Sequence, residues 1–202
     1  MRIGGIVLCG GRSSRMGRPK LSLPFGTEVL VQRVVRVLGS VVDPIVVVAA
    51  PGQAVPALPP DVTILHDDLE GEGPLAGLAV GLESLAGRVD AAYATACDVP
   101  LLRPEFVRAV ISRLGEHDLA IPRDGEFNHP LAAVYRCHLA TTVRALLAAQ
   151  RRRPFFLVQE SDAELIDVND LRDVDPNLDS LRNLNTPEEY TAALRASGLA
   201  VG

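Results

Sequence analysis

A chain of 202 residues, 48% hydrophobic and 22% charged, has room for one α/β domain with a full core and is short for two. Its formal charge of −5 excludes the strongly basic surface of a general nucleic-acid binder. Cys9, Cys97 and Cys137 are odd in number and form no C-x-x-C or Cys/His cluster, which excludes a disulfide framework and a zinc site and leaves reduced thiols. The apolar stretch Ile3–Cys9 is too short for a secretory h-region with its cleavage site, and no run approaches the ~20 residues of a membrane span. The expectation is a cytoplasmic protein.

In chain order, a first strand is expected over Ile3–Cys9, then a helix over Glu28–Leu38 and a strand over Ile45–Ala50. The Pro-rich patch from Pro51 to Pro60 reads as a surface loop. Further strands are expected at Val62–Leu65 and Ala91–Ala96, with helices at Leu75–Leu85 and Pro104–Leu114. Leu119–Pro122 and Leu131–Tyr135 read as strands joined across the Asp124-Gly125-Glu126 turn, so one antiparallel strand is expected there; a helix over His138–Ala149 follows. In Asn185-Thr186-Pro187-Glu188-Glu189, Thr186 caps a helix, Pro187 takes its first position and Glu189 completes a capping box. That helix should run to about Ala196 and stop at Gly198. Apolar β-branched runs alternating with helical periods mean a single α/β domain over residues 1–202. Its fold is a three-layer sandwich around a mainly parallel sheet buried on both faces.

After the first strand comes Leu8-Cys9-Gly10-Gly11-Arg12-Ser13-Ser14-Arg15-Met16-Gly17-Arg18-Pro19-Lys20. It fits neither G-x-x-x-x-G-K-[ST] nor G-x-G-x-x-G, so the Walker A loop and the dinucleotide fingerprint are excluded. A Gly-Gly turn lets backbone amides approach an anion. Arg12, Arg15, Arg18 and Lys20 then place four of the chain's 20 basic residues within nine positions. A triphosphate, with about four negative charges, needs such a set: Arg makes bidentate contacts and Lys20 is a movable point charge. A tight turn with a solvated basic face is the other reading of these residues.

The run Leu8–Lys20 resembles the L-[AC]-G-G-x-S-x-R-M-G-x-[DP]-K signature of nucleotidyltransferases with a Rossmann-like fold. The resemblance implies that fold and transfer of an NMP unit to a phosphate with release of pyrophosphate. Sugar-phosphate and cofactor transferases share the signature, so it does not choose the substrate. Such chemistry needs a divalent cation on the phosphates, and magnesium takes oxygen ligands including one or two carboxylates. Asp98, in Cys97-Asp98-Val99-Pro100, follows an apolar strand and so stands where ligands gather in open α/β sheets; an Asp merely opening a turn before Pro100 is the alternative. Asp67-Asp68 ends another strand and precedes the glycine-rich Gly71-Glu72-Gly73-Pro74-Leu75-Ala76-Gly77. This is either a loop closely approaching base or ribose, or a plain β–α connection. Resembling transferases bind nucleotide through the first Asp of D-x-x-x-G-x-G-P-L-A-G, which implies Asp67, with Asp68 adjacent.

Two later stretches narrow the resemblance. His129-Pro130-Leu131-Ala132-Ala133-Val134-Tyr135-Arg136 and Asn183-Leu184-Asn185-Thr186-Pro187-Glu188-Glu189 resemble the H-P-L-x-A-[LV]-Y-R and N-x-N-T-P-E-[ED] stretches of molybdenum cofactor guanylyltransferases. With the C-D-[MV]-P and G-P-L-A-G motifs, the likeness extends from residue 5 to about residue 195. It implies GTP and metal-bearing molybdopterin as substrates, Mg2+ as cofactor, no nucleic-acid or membrane partner, and transient contact with molybdoenzyme maturation proteins. Leu8, Cys9, Gly10, Gly11, Lys20, Asp67 and Asp98 would then bind nucleotide. Arg12, Arg15, Lys20 and Asp98 would form the catalytic set, with Asp98 holding the metal. Asn128, His129 and Arg136 are the acceptor candidates. Arg151-Arg152-Arg153 could meet an acceptor phosphate or, as readily, complement the dipole of the preceding helix. Three positions depart from the family: Pro19 stands where Asp is common, Cys9 where Ala is common, and Ala49-Ala50 where many relatives have a nucleotide-binding Asn, with Gln53 nearby. A cytidylyltransferase acting on the same pterin, a sugar-phosphate nucleotidyltransferase and a non-catalytic nucleotide-binding regulator are the competing readings.

Overall fold

The computed structural model describes residues 1–10, 20–67 and 73–199. Strand β1 (Ile3–Leu8) is followed by a small hairpin of β2 (Pro24–Phe25) and β3 (Glu28–Val29), helix α1 (Leu30–Gly39) and strands β4 (Ile45–Ala49) and β5 (Thr63–His66). Next come α2 (Pro74–Leu85), β6 (Ala91–Ala96), α3 (Pro104–Ser112), β7 (Leu119–Asp124), β8 (Phe127–Asn128) and β9 (Ala132–Arg136). The chain continues through α4 (Leu139–Ala148), α5 (Pro154–Gln159), β10 (Ala163–Asp167) and α6 (Pro187–Ala196).

The main sheet has the order β10-β7-β9-β6-β1-β4-β5, with β8 paired to β7. β1 is parallel to both β4 and β6, β4 to β5, and β7 to β10; β9 runs antiparallel to β6 and β7. The expected reversed strand is therefore β9, inserted between two parallel groups. Alternate residues of each inner strand serve opposite layers, as the twofold side-chain period requires. Val7, Val47, Tyr93 and Val134 pack with Val34, Leu38, Phe106 and Val110 of α1 and α3. Ile6, Val46, Ala94 and Ala133 pack with Leu78, Leu82, Val143 and Leu157 of α2, α4 and α5. A mainly parallel α/β sheet with a helical layer on each face is the result.

Four differences from the sequence reading have local causes. The helix expected from Glu28 begins at Leu30, because Gly26, at φ 69, turns the chain into the β2–β3 hairpin. β5 is an edge strand rather than one buried on both faces, with Ile64 40% exposed. β10 went unpredicted because it too is an edge, buried only at Ile166 and carrying Glu164 and Asp167, so it forms no apolar run. α5 is a single short segment started by Pro154. The C-terminal helix has the expected capping box between Thr186 and Glu189 and ends before Gly198, at φ 68.

β1 is the thin centre of the sandwich. A Cβ on Gly5 would stand 2.7 Å from Leu38 of α1, and one on Gly4 would stand 3.0 Å from Leu85 of α2. On the second face a Cβ on Gly81 of α2 would reach Ile6 at 2.7 Å. These glycines set how closely the helices lie on the strand that leads into the glycine-rich loop. Gly81→Leu is therefore expected to cost about 1–3 kcal/mol through overpacking, read as a lower urea midpoint at unchanged slope. An unshifted midpoint would show that α2 can lift from Ile6 without penalty.

Candidate nucleotidyl-transfer site

β1 and β6 are in register to their last residues, Leu8 opposite Ala96. The ladder continues one step further, with the Cys97 amide donating to Leu8 O at 3.0 Å and the Cys9 amide donating to Val48 O at 2.8 Å. Cys9-Gly10 and Cys97-Asp98 therefore leave the sheet side by side at its carboxyl edge, where a parallel sheet opens a crevice. The two thiols are hydrogen-bonded to each other; that bond, burial and the nearby Asp98 charge push the Cys97 thiol well above its ordinary range. Both side chains are buried, and the raised Cys97 thiol stays protonated and is no nucleophile.

Asp98 is 8% exposed. Its Oδ2 accepts from Lys20 Nζ at 2.8 Å and its Oδ1 from Asn183 Nδ2 at 2.9 Å. Lys20 Nζ also donates to Asn185 Oδ1 at 2.8 Å. Lys20 opens a 3-10 turn anchored by buried Leu21. The segment after Asp98 is held from α1, where Arg33 Nε donates to Pro100 O at 2.6 Å while its guanidinium lies 4.9 Å from the Phe25 ring. Burial lowers the Arg33 pKa from its ordinary value, and Arg36 adds to that lowering. A nearly buried carboxylate whose two oxygens both have partners keeps a fixed orientation, which is what a ligand-binding carboxylate needs.

Gly10 adjoins this pair and is exposed; among the described residues, a Cβ built on it would meet nothing within 4 Å. Packing does not demand glycine there, so the open space beside the strand end suits a ligand. Gly11, Arg12, Arg15 and Asp68 lie outside the described residues. Asp67 directly follows β5, its amide donating to Ala49 O at 2.9 Å, across from the Ala49-Ala50 departure. There Gln53 Oε1 accepts the Ala50 amide at 2.9 Å, so its carbonyl end is committed within its own turn.

The acceptor candidates separate. Asn128 and His129 lie at the carboxyl edge, since the His129 amide donates to Pro122 O at 2.9 Å and β9 then begins opposite Thr95. Asn128 Oδ1 and His129 Nε2 are buried without a hydrogen-bond partner. The His129 ring lies edge-on to Phe127 at 5.0 Å, and Phe127 is 65% exposed. Burial lowers the His129 pKa, opposed by the Asp124 charge. Arg136 must be withdrawn as an acceptor residue. It pairs with Ala91, the first residue of β6, about 16 Å from the working edge at 3.3 Å per residue. There its guanidinium is spent on Gly115 O and His117 O at 2.7 and 2.8 Å. Of the basic triplet, Arg151 pairs with Glu160 and covers the Phe156 ring. Arg152 and Arg153 are exposed, and Arg152 O is 3.9 Å from where a Gly73 Cβ would stand, so this segment borders the start of α2.

Comparison with known proteins bears on this arrangement. Residues 5–163 match the MobA-like NTP transferase domain family. The chain is 42% identical over 190 residues to a probable molybdenum cofactor guanylyltransferase of Mycobacterium bovis, covering 92% of each chain. A probable molybdenum cofactor guanylyltransferase of Mycobacterium avium is 38% identical over 202 residues, 97% of each. The crystal structure of molybdopterin-guanine dinucleotide biosynthesis protein A from Archaeoglobus fulgidus superposes with a TM-score of 0.78 over 98% of this chain and 99% of that one, at 21% identity. The chain belongs to the MobA-like NTP transferase family. It is thus a nucleotidyltransferase, and the same likeness fixes its α/β fold.

In this MobA-like transferase the Lys20–Asp98 cluster draws on residues beyond the matched 5–163. Asn183 and Asn185, which sequence reasoning used only as part of a likeness, touch Asp98 and Lys20 directly. Their signal was present locally: in Asn183-Leu184-Asn185 the Leu is buried and both flanking residues are exposed, so an extended chain turns both amides to one side. Among the described residues, no helix is long and apolar enough to cross a membrane.

Two outcomes are expected. Gly10→Ala should leave the melting temperature within about a degree while weakening nucleotide binding roughly tenfold, by calorimetric titration; unchanged affinity would remove Gly10 from the site. The native pKa of His129 is depressed, so its stabilising neutral state is complete above the unfolded value and lost as pH falls through the folded one. Urea stability should therefore decline below about pH 6.5, and His129→Gln should flatten that decline. Identical slopes in both proteins would assign the decline to other groups.

Proposed function

We propose that the chain transfers GMP from GTP to the terminal phosphate of molybdopterin, forming the guanine dinucleotide cofactor and pyrophosphate. The observation that carries the transfer reading is the buried Lys20–Asp98 pair beside Gly10 at the ends of β1 and β6. The choice of guanine and of the pterin draws on the names of the relatives at 42% and 38% identity.

An oxygen of the acceptor phosphate attacks the α-phosphorus in line, and the bond from that phosphorus to the pyrophosphate oxygen breaks. The acceptor is already anionic near pH 7, so no protein nucleophile or strong base is needed, in keeping with the protonated state of Cys97. Catalysis is then positioning and charge stabilisation. Leu8 and Cys9 are committed to the sheet, the Cys9 amide to Val48 O, so they place the turn, and the backbone of Gly10 and Gly11 holds phosphate oxygens. Lys20 exchanges its carboxylate and amide partners for phosphate, and Arg12 and Arg15 offset charge developing on the leaving group. Asp67 contacts the nucleotide across the β4–β5 edge. Asn128 and His129, with their unpartnered buried polar atoms, receive the acceptor.

The donors around Asp98 fit magnesium. They are the Asp98 carboxylate and the nearby Asn185 amide oxygen, the Cys97 thiol is held protonated, and among the described residues no group of three or more His, Cys, Asp or Glu is placed to hold a metal. A hard cation held by one carboxylate with phosphate and water oxygens matches that set. When bound, it would neutralise charge on the leaving pyrophosphate.

Incubation with molybdopterin and each α-labelled triphosphate should show label entering the dinucleotide from GTP roughly tenfold or more above CTP. Incorporation from CTP alone would replace the guanylyl reading with a cytidylyl one. Asp98→Asn, which keeps the side chain's volume, should lower turnover roughly a hundredfold or more; undiminished turnover would end the metal-carboxylate role.

A further inference from the structure

The asparagines that brace the Lys20–Asp98 pair sit on a strap, residues 175–186, that is stitched to the segment carrying Asp98. At one end the Leu184 amide donates to Asp98 O at 2.9 Å and Asn183 reaches the Asp98 carboxylate. At the other end the Arg103 amide donates to Ser180 Oγ at 3.0 Å, and Arg103 Nε lies 3.4 Å from Asp175 Oδ1. The two segments therefore run antiparallel, 98 beside 184 and 103 beside 180.

Asp175 is the origin of this strap. It is fully buried, at 0% exposure, in a chain where few charged side chains are. Its Oδ1 accepts the Asp179 amide at 3.1 Å and its Oδ2 the Ser180 amide at 2.8 Å, so one carboxylate fixes the turn entering the 3-10 helix Asp179–Leu181. Leu178 is held there in the left-handed region at φ 53, a conformation a leucine adopts only when its surroundings impose it. Past this turn the chain is extended at Arg182 and delivers Asn183, Leu184 and Asn185 in sequence. Beyond them the strap is closed by Glu189, whose Oε2 accepts the Asn185 and Thr186 amides at 2.6 and 3.0 Å. Burying a carboxylate is justified by what it organises, because the same turn could be built with neutral groups at lower desolvation cost.

We propose that Asp175 is a positioning residue of the transfer site, acting through Ser180 and Arg103 to hold Asn183 and Asn185 against Asp98 and Lys20. The assignment rests on the transfer reading above for its consequence, and on the strap's own hydrogen bonds for its geometry. Asp175 touches neither nucleotide nor metal. Its effect is to keep the carboxylate and the ammonium from drifting when their partners change.

The test compares Asp175→Asn and the milder Ser180→Ala with the native chain by two independent readouts. In native-state hydrogen exchange, the Leu184 amide should exchange roughly tenfold faster in Asp175→Asn while the amides of β1 are unchanged. Turnover, assayed well below the melting temperature, should fall roughly tenfold, and Asp175→Asn should add no further loss in an Asn183→Ala background, since both act through one contact. Ser180→Ala should show the same pattern at smaller amplitude. The proposal is overturned if Leu184 exchange is unaltered, if it rises only in step with β1, or if the two substitutions multiply fully. A native chain that transfers no nucleotide would sink the transfer reading instead, and the exchange pattern would then decide the strap by itself.

Discussion

The ion pair between Lys20 and Asp98 is the constraint around which the molecule is arranged. Two opposite charges with side chains only 19% and 11% exposed are tolerable because each has further polar partners. Those partners come from far along the chain: Lys20 and Asp98 are 78 positions apart, Asn183 is 85 from Asp98, and Asn185 is 165 from Lys20. Only a fold that gathers strand ends at one edge can meet that demand, and a parallel sheet does so by construction. The strand register, the Arg33 contact to Pro100 and the strap behind Asn183 all support the same few ångströms.

The central strand shows what this costs in packing freedom. Helices must cover both faces of β1, and glycine at positions 4 and 5 lets Leu85 and Leu38 settle onto its backbone. Gly81 repeats the device from the helix side against Ile6. A tightly clasped strand offers a rigid base for Gly10, where side-chain volume is withheld for a different reason, since no described residue fills the space. Glycine thus serves packing at one end of the strand and open access at the other.

What the sequence made legible follows from where the information is local. The inner strands are short apolar runs, α2, α3, α5 and α6 open on proline, and the loop from Leu8 to Lys20 concentrates glycine and cations, so each could be read within about 13 residues. Asp98 was readable because its strand is mostly apolar, buried throughout, and stops beside it. Edge strands resisted, since β10 buries one residue and alternates with charges. Arg136 was misplaced for a topological reason: a motif read as a line conceals that β9 runs backwards, carrying its two ends to opposite edges of the sheet. The alternation around Leu184 turns Asn183 and Asn185 to one side, but which groups they meet depends on closing loops of 85 and 165 residues, which that local pattern does not encode.

The lateness of that closure has a meaning for how the protein comes into being. Chains emerge from the ribosome with the amino end first. Lys20 and Asp98 are made early, and every strand of the sheet is complete once Asp167 has appeared. The asparagines arrive afterwards, so a nascent chain that has already assembled its sheet still lacks the clamp on its own charges. Translation order alone therefore finishes the working edge after the whole sheet, with only α6 still to come, and a chain stopped short of residue 183 would carry a sheet without a braced ion pair.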